Sequence, residues 1–334
     1  MKFSKLQATG NDFILVDART PLQVELSDKF QRPFTSFRMM KEGCHSEEQK
    51  RAAHLAQDKP HEELWTQLAQ AMCQRRFGIG ADGLILVQNS NISDLKMRVF
   101  NPDGCEAEAC GNGLRCFTKY VIENGMVSRA NLAIETLSGT RKTKAYVSAT
   151  KVNRVDVNMG LPQLKPEQIP VTLTAGAITS EARQSPVITY QLLVGSYQLL
   201  LFLLSMGNPH AVAFTSAPAA GFPLASIGPE IERHHLFPQR TNFEIARVID
   251  RGKIEARVWE RGVGETLACG TGACAIAVAA QLTGYVDDHV DITFPGGVLS
   301  IHWDKVGEVL LSGPVEEIFS GEYQTQRRKT DAVG

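Results

Sequence analysis

The sequence predicts an α+β protein, strands outnumbering helices, assembled as two pseudo-symmetric halves that arose by duplication. Three observations carry that expectation. The stretch Glu106-Ala-Glu-Ala-Cys110-Gly-Asn-Gly113 recurs 159 positions later as Glu265-Thr-Leu-Ala-Cys269-Gly-Thr-Gly272, a shared E-x-x-A-C-G-x-G. The flanks echo as well. Gly10-Asn11-Asp12-Phe13 answers Gly207-Asn208-Pro209-His210, Val99 ahead of the first motif answers Lys253 to Trp259 ahead of the second, and Ile134 to Gly139 answers Ile292 to Gly297. Finally, 334 residues with 43% hydrophobic content can support two cores. A repeat of about 150 residues is too long for a solenoid unit and reads as a duplicated domain. The halves are placed at 1–159 and 160–315.

Taken in order, Phe13-Ile-Leu-Val16 reads as a strand, with Thr9 to Asp12 forming a polar turn at its edge that holds Asn11. From about 33 to 74 the character changes to polar, Ala-, Glu-, Gln- and Lys-rich sequence. This favours helix, with Pro60 expected to split it into two pieces. A glycine-punctuated loop, Arg76 to Gly83, leads into the strand Leu84–Val87. Lys96–Phe100 is a strand closed by the turn Asn101-Pro-Asp-Gly104. After the first cysteine motif, Leu114, Cys116, Phe117, Val121 and Ile122 line one face of a helix. Short strands follow at Asn131–Thr136, Thr143–Ser148 and Val152–Met159. In the second half the apolar run Leu199–Met206 is too short to span a membrane and reads as a buried strand. The tail from Arg327 is polar and expected to fray.

Bulk properties exclude several classes. A formal net charge of −1 offers no basic footprint for nucleic acid or an anionic membrane. The opening MKFSKLQATGNDF lacks the pattern of a secretory signal. Seven cysteines, two of them in Cys-Gly-x-Gly, do not form a secreted disulfide framework. The expectation is a reduced cytoplasmic protein.

Chemistry concentrates at Cys110 and Cys269. A cysteine opening a helix meets backbone N–H groups and the positive end of the helix dipole. Both favour thiolate and are expected to draw its pKa from ~8.5 toward neutrality. The following glycines let backbone N–H groups close on an anion. Two such helix ends aimed at one carboxylate would stabilise the charge that gathers on it when a proton leaves the adjacent carbon. Amino-acid epimerisation without pyridoxal phosphate needs that stabilisation, with a base on one face and an acid on the other. A thiolate and a thiol exchanging roles would supply both.

Simpler explanations exist for each residue. A lone cysteine is usually a small buried hydrophobe, which is how Cys105, Cys116 and Cys274 read. Duplication weakens that explanation for Cys110 and Cys269. A turn ahead of a helix accounts for the glycines but not for the repeated cysteine and glutamate. The spacings Cys110–Cys116 and Cys269–Cys274 are not those of zinc knuckles. Cys44, His45, His54, His61 and Cys73 are scattered without ligand spacing, so no metal is expected. There is no C-x-x-C, so a redox dithiol would require Cys110 and Cys269 to meet in space.

At these motifs the chain resembles the diaminopimelate epimerase family. The resemblance rests on Gly10-Asn-Asp-Phe13, Gly78-Ile-Gly-Ala-Asp-Gly83, Phe100-Asn-Pro-Asp-Gly104, Ala109-Cys-Gly-Asn-Gly113, Met206-Gly-Asn-Pro-His210, Arg240-Thr-Asn242, and Glu260-Arg-Gly262 through Cys269-Gly-Thr-Gly272, in the family's order. It implies strands wrapped around a central helix in each domain, a site in the cleft between them, a last segment (316–334) returning to the first domain, and a homodimer. It implies no cofactor. Cys110 and Cys269 would be the catalytic pair, supported by His210 and Glu260. Backbone at Gly111, Asn112, Gly270 and Thr271 would hold the reacting carboxylate. Asn11, Asn101, Asn208, Asn242 and Arg261 would read the rest of the substrate, since arginine grips a carboxylate bidentately and asparagine serves either charge. A structural histidine remains an alternative for His210, a turn residue for Asn101, and a surface ion pair for Glu260 and Arg261. The stretch 33–74 is longer than the family's usual connection and is expected to be a surface insertion. Gly83 stands where some members carry Gln. Rival functions are a two-thiol racemase of histidine or of proline and hydroxyproline, and a non-catalytic amino-acid-binding protein.

Overall fold

The computed structural model describes residues 1–20, 59–107, 110–172 and 187–324. The first half holds β1 (Lys2–Ala8), β2 (Asn11–Asp17), α1 (Lys59–Met72), β3 (Gly83–Gln88), β4 (Leu95–Phe100), β5 (Glu106–Ala107), α2 (Gly111–Glu123), β6 (Asn131–Thr136), β7 (Gly139–Ser148) and β8 (Lys151–Asn158). Next come β9 (Ile188–Val194), β10 (Tyr197–Ser205), β11 (Pro209–Phe214), α3 (Leu224–Glu232), β12 (Asn242–Asp250), β13 (Lys253–Glu260), β14 (Gly264–Thr266) and α4 (Gly270–Leu282). The chain then runs through β15 (His289–Phe294), β16 (Gly297–His302), β17 (Leu310–Pro314) and β18 (Glu316–Glu322).

Strand pairing carries the duplication into three dimensions. β1 pairs antiparallel with β2, β2 parallel with β3, β3 antiparallel with β4, and β4 parallel with β6. The second half repeats the series with β10, β11, β12, β13 and β15. In each half two further hairpin strands follow, and the last of them, β8 and β17, pair with each other antiparallel and join the halves. β9 completes the edge at β10, and β18 returns to pair with β1.

Each half curls around one helix. α2 packs on β1, β2, β3, β4, β7, β8 and β17, while α4 packs on β10, β11, β12, β15 and β16, and the two helices touch. α4 is Ala-rich and buried along nearly its whole length, so its narrow surface lets strands close around it. α2 is buried too, yet encloses Arg115, Thr118 and Lys119. Thr118 donates to Thr143 Oγ1 at 2.9 Å. Lys119 donates to Glu123 at 2.7 Å and to the carbonyl of Val152 at 2.8 Å, which satisfies these polar groups inside.

The structure departs from expectation at Cys105. The helical piece at Pro60 is α1, which carries the proline in its first turn, where a missing N–H has no intrahelical partner, and the piece expected before it lies outside the described residues. So does the rest of 21–58, with Cys44, His45 and His54, and the tail from 325. Cys105 is half-buried and disulfide-bonded, unlike Cys116 and Cys274, which are packed core thiols. Cys105 closes the Asn101–Gly104 turn, its carbonyl accepting from the Asn101 N–H at 2.9 Å, just ahead of β5. Among the described residues no helix is long and apolar enough to cross a membrane.

Candidate active site

Cys110 and Cys269 occupy the N-cap positions of α2 and α4, both in extended backbone (φ −105°, ψ 130° and φ −128°, ψ 123°). Neither helix start has an acidic residue in its first turn, so the free N–H groups stay available to an external anion. The two helix ends abut. A Cβ built on Gly270 would lie 3.6 Å from Gly111 Cα and 3.4 Å from Leu311 Cδ1, and one on Gly111 would lie 3.2 Å from Met159 Sδ. Glycine at both positions is what allows this approach.

Electrostatics distinguish the thiols. Burial pushes Cys110 up. The N–H of Gly113 draws it back, the Glu260 carboxylate opposes, and the N–H of Asn112 and the charge of Arg115 draw it down again. Cys269 is likewise pushed up, well above the ordinary thiol value, by burial first and then by Glu260; the Thr271 hydroxyl and Gly272 N–H oppose, and Glu244 adds to the rise. The lowering expected from a helix N-terminus is therefore present at both cysteines but is outweighed by desolvation. Glu260, acting on both thiols, is itself raised by burial. Hydrogen bonds from Thr266, at 2.5 Å, and from Cys269 moderate that rise.

His210 is fully buried between Glu244, whose Oε1 lies 2.7 Å from Nδ1, and Asn208, whose Oδ1 lies 3.0 Å from Nε2. Asn208 Nδ2 donates to Thr271 Oγ1 at 3.3 Å, and Thr271 Oγ1 sits 3.5 Å from Cys269 Sγ. With its amide nitrogen facing Thr271, Asn208 offers His210 an oxygen, so Nε2 donates. Glu244 then holds the other ring nitrogen, while its Oε2 has no hydrogen-bond partner among the described residues. This carboxylate was not anticipated from sequence. A Glu in Asn242–Asp250 reads as an ordinary strand residue, and only the fold puts it under α4, where a Cβ on Gly272 would come 2.9 Å from its Oε1.

On the other side, Arg115 donates to Asn112 Oδ1, to Thr9 Oγ1 at 2.9 Å and to the carbonyl of Pro314 at 3.1 Å. Asn112 Nδ2 donates to Asn11 Oδ1, and Asn11 Nδ2 donates to Asp82 at 3.3 Å. Asn11 and Asn112 are thus brought together beside Cys110. Asn242 is buried and spends its amide on the Pro209 carbonyl and on the backbone N–H of Arg261, both at 2.9 Å. Arg261 is exposed, and among the described residues its guanidinium reaches only the Gln239 carbonyl, at 3.4 Å. Buried Glu232, also not anticipated, holds the same loop through Trp259 Nε1 at 2.8 Å and the N–H of Gly262 at 2.9 Å. Asn101 stands exposed on its turn, held there through its backbone, and its side chain joins none of these networks among the described residues.

The repeated glutamates have a structural explanation. Glu106 pairs with Arg98 and Glu265 with Arg257, at 2.7 Å in each half, fastening the cysteine loop to the strand before it. Among the described residues, the metal-capable side chains that converge are Asp288, His289 and His302, whose ligand atoms lie within 4.8 Å of one another on the outside of β15 and β16. They include no residue of the cysteine site.

A protein-family model described as diaminopimelate epimerase matches residues 52–165 and 202–318. A diaminopimelate epimerase from Moorella thermoacetica is 40% identical over 324 residues, covering 97% of this chain and 99% of that protein. Among solved structures, a probable proline racemase from Agrobacterium radiobacter superposes with a TM-score of 0.62 at 12% identity, over 98% of this chain and 94% of that one. A hydroxyproline epimerase from Agrobacterium vitis gives 0.61 at 13% identity, over 96% and 91%. These last two share the fold, the two-domain repeated architecture expected from the duplicated motif. With the family model spanning both cysteine motifs and a relative aligned over nearly its whole length, the chain belongs to the diaminopimelate epimerase family of isomerases.

Proposed function

We propose that this protein interconverts LL- and meso-diaminopimelate, without pyridoxal phosphate, by a two-base mechanism. The observation that carries the mechanism is the meeting of two cysteine-capped helix N-termini at Gly111 and Gly270. The substrate's reacting carboxylate lies between them, held by N–H groups at Gly111, Asn112, Gly270 and Thr271. One cysteine, as thiolate, takes the α-proton; the bond electrons pass into the enolate-like carboxylate, and the other thiol returns a proton to the opposite face. The product leaves the two sulfurs with roles exchanged. Glu260 contacts the Cys269 thiol and receives the substrate ammonium, while His210 orders Asn208 and Thr271 beside Cys269. Asn11 and Arg261 read the distal amino-acid end, Asn242 sets the loop carrying Arg261, and Asn101 joins them from its turn.

A proline or hydroxyproline racemase is the rival on this fold. The exposed Arg261 guanidinium favours a substrate with a second carboxylate. Lysine and peptidoglycan-precursor synthesis, a cytoplasmic location and a homodimer belong to the same proposal. The test is proton NMR of the purified protein with LL-diaminopimelate in heavy water, without added cofactor. Appearance of the meso isomer carrying deuterium at one α-carbon is expected. No exchange in a folded, reduced sample would overturn the assignment, and exchange on proline instead would install the rival.

A further inference from the structure

Arg115 is fully buried, and no carboxylate pairs with it among the described residues. Its three partners are neutral oxygens, of Thr9, Asn112 and Pro314, and its Nε has none. A buried cation is costly unless paired, so the fold tolerates here a charge that it does not neutralise. It also makes room for it. A Cβ on Gly313 would fall 1.8 Å from Arg115 Nη1. Thr9 holds a left-handed backbone (φ 53°), unfavourable for a β-branched residue, where its hydroxyl receives the guanidinium. The position has no charged counterpart in the other half, where Cys274 stands at the place of Arg115.

The Cys269 side carries the opposite sign. Glu244 lies beneath the first turn of α4, and Glu260 contacts the Cys269 thiol. The other charged groups near α2 include Arg154 on β8, Lys119 and Glu123 on α2 itself, paired at 2.7 Å, and Asp17 and Arg19, paired at 2.7 Å. Glu317 lies near Tyr120, and Asp12 on β2 is already paired with Lys5 at 2.9 Å and Arg75 at 3.0 Å. Glu260 faces both sulfurs but contacts that of Cys269, so its charge opposes ionisation more directly there, and His210 is paired with Glu244.

We propose that Arg115 is a positioning residue for Cys110, a built-in cation that makes Cys110 the thiolate and leaves the proton of the pair on Cys269. It acts on the sulfur across the first turns of α2. Being a donor only, it also fixes the amide of Asn112 oxygen-inward, so that Asn112 Nδ2 must turn to Asn11 and Asn11 Nδ2 to Asp82. One buried charge thereby sets the proton distribution of the thiols and the orientation of two substrate-facing amides. The inference rests on the two-thiol reading but not on the identity of the substrate.

The experiment follows carboxamidomethylation of each cysteine by iodoacetamide in the folded, substrate-free protein across pH, resolved by peptide mass spectrometry. The pH midpoint is the readout, since absolute rates also reflect accessibility. Cys110 is expected to show the lower midpoint. Arg115→Met should raise the Cys110 midpoint by about one pH unit or more and leave Cys269 unmoved or lowered, and Arg115→Lys should restore most of the difference. Should Arg115→Met fail to fold, Gly313→Ala, which crowds the guanidinium while keeping the residue, should raise the same midpoint. A Cys110 midpoint unchanged in the folded variants, or a wild-type midpoint lower at Cys269, overturns the proposal. Since no substrate is present, failure of the epimerase assignment in the heavy-water assay leaves this result separately readable.

Discussion

The two cysteine helices are copies of one device set in different surroundings. α2 and α4 begin alike, with an extended cysteine cap, a glycine against the opposing helix, and an upstream Arg–Glu pair bracing the loop. Beyond the first turn they diverge. α2 buries an arginine, an asparagine, a threonine and a lysine, whereas α4 is a rod of alanine, valine and isoleucine resting on a buried Glu–His pair. Shared features bring the two cysteine-capped helix ends together. The divergent ones set a buried cation behind one and a buried carboxylate behind the other.

The largest effect should come from the shared part. Cys110→Ala and Cys269→Ala should each lower epimerisation on the order of 10³-fold with the fold retained. Near-wild-type turnover in either variant would show that one thiol suffices and would end the comparison. Next, Glu244→Gln leaves His210 buried against a neutral amide and should cost about 3 kcal/mol in urea unfolding. A change within about 0.5 kcal/mol, as for surface sites, would refute the pair's role in holding the core beneath α4. Glycine substitutions sharpen the contrast. A methyl at Gly272 meets Glu244 Oε1 at 2.9 Å and Cys269 Cβ at 3.2 Å, while one at Gly113 meets the movable Ile85 Cδ1 at 3.2 Å. Gly272→Ala should therefore lower kcat/KM about tenfold more than Gly113→Ala, a difference of ~1.4 kcal/mol; equal losses would refute the tighter packing at α4. The smallest effect belongs to the braces. Besides Glu265, Arg257 donates to the carbonyls of Ala219, Ala220 and Phe222, so Arg257→Ala should destabilise by roughly 1 kcal/mol in thermal unfolding, and an unchanged melting temperature would refute its bracing role.

Much of this was legible in the sequence, for a reason peculiar to duplication. A cysteine or a glutamate seen once is ambiguous, but the same spacing seen twice implies a common frame, so both helices, both caps and most strands could be placed. Arg115 and Glu244 could not. Arg115 sits between Leu114 and Cys116 as a surface arginine on an amphipathic helix would. What buries it is Gly313 and Pro314, almost 200 residues away. Glu244 alternates along a strand as a solvent-facing residue would, and its burial depends on α4 lying over it. The pKa direction at the cysteines was misjudged for a related reason: helix ends can be read from local sequence, but the depth at which the fold seals them cannot. Cys105 shows the reverse: cysteine's general tendency toward the core gives way there to a disulfide that local sequence does not announce.

The pairing of β18 with β1 has a consequence for how the molecule is made. Lys2 sits opposite Glu322, so this edge of the first domain stays bare until some 320 residues have been synthesised. A ribosome elongating at roughly 5–20 residues per second holds the nascent first half in that unsealed condition for many seconds. An unpaired strand edge is a template for pairing with another chain. The first half thus waits on the second, and the two domains reach completion together, which makes this protein a demanding client for whatever shields nascent chains during translation.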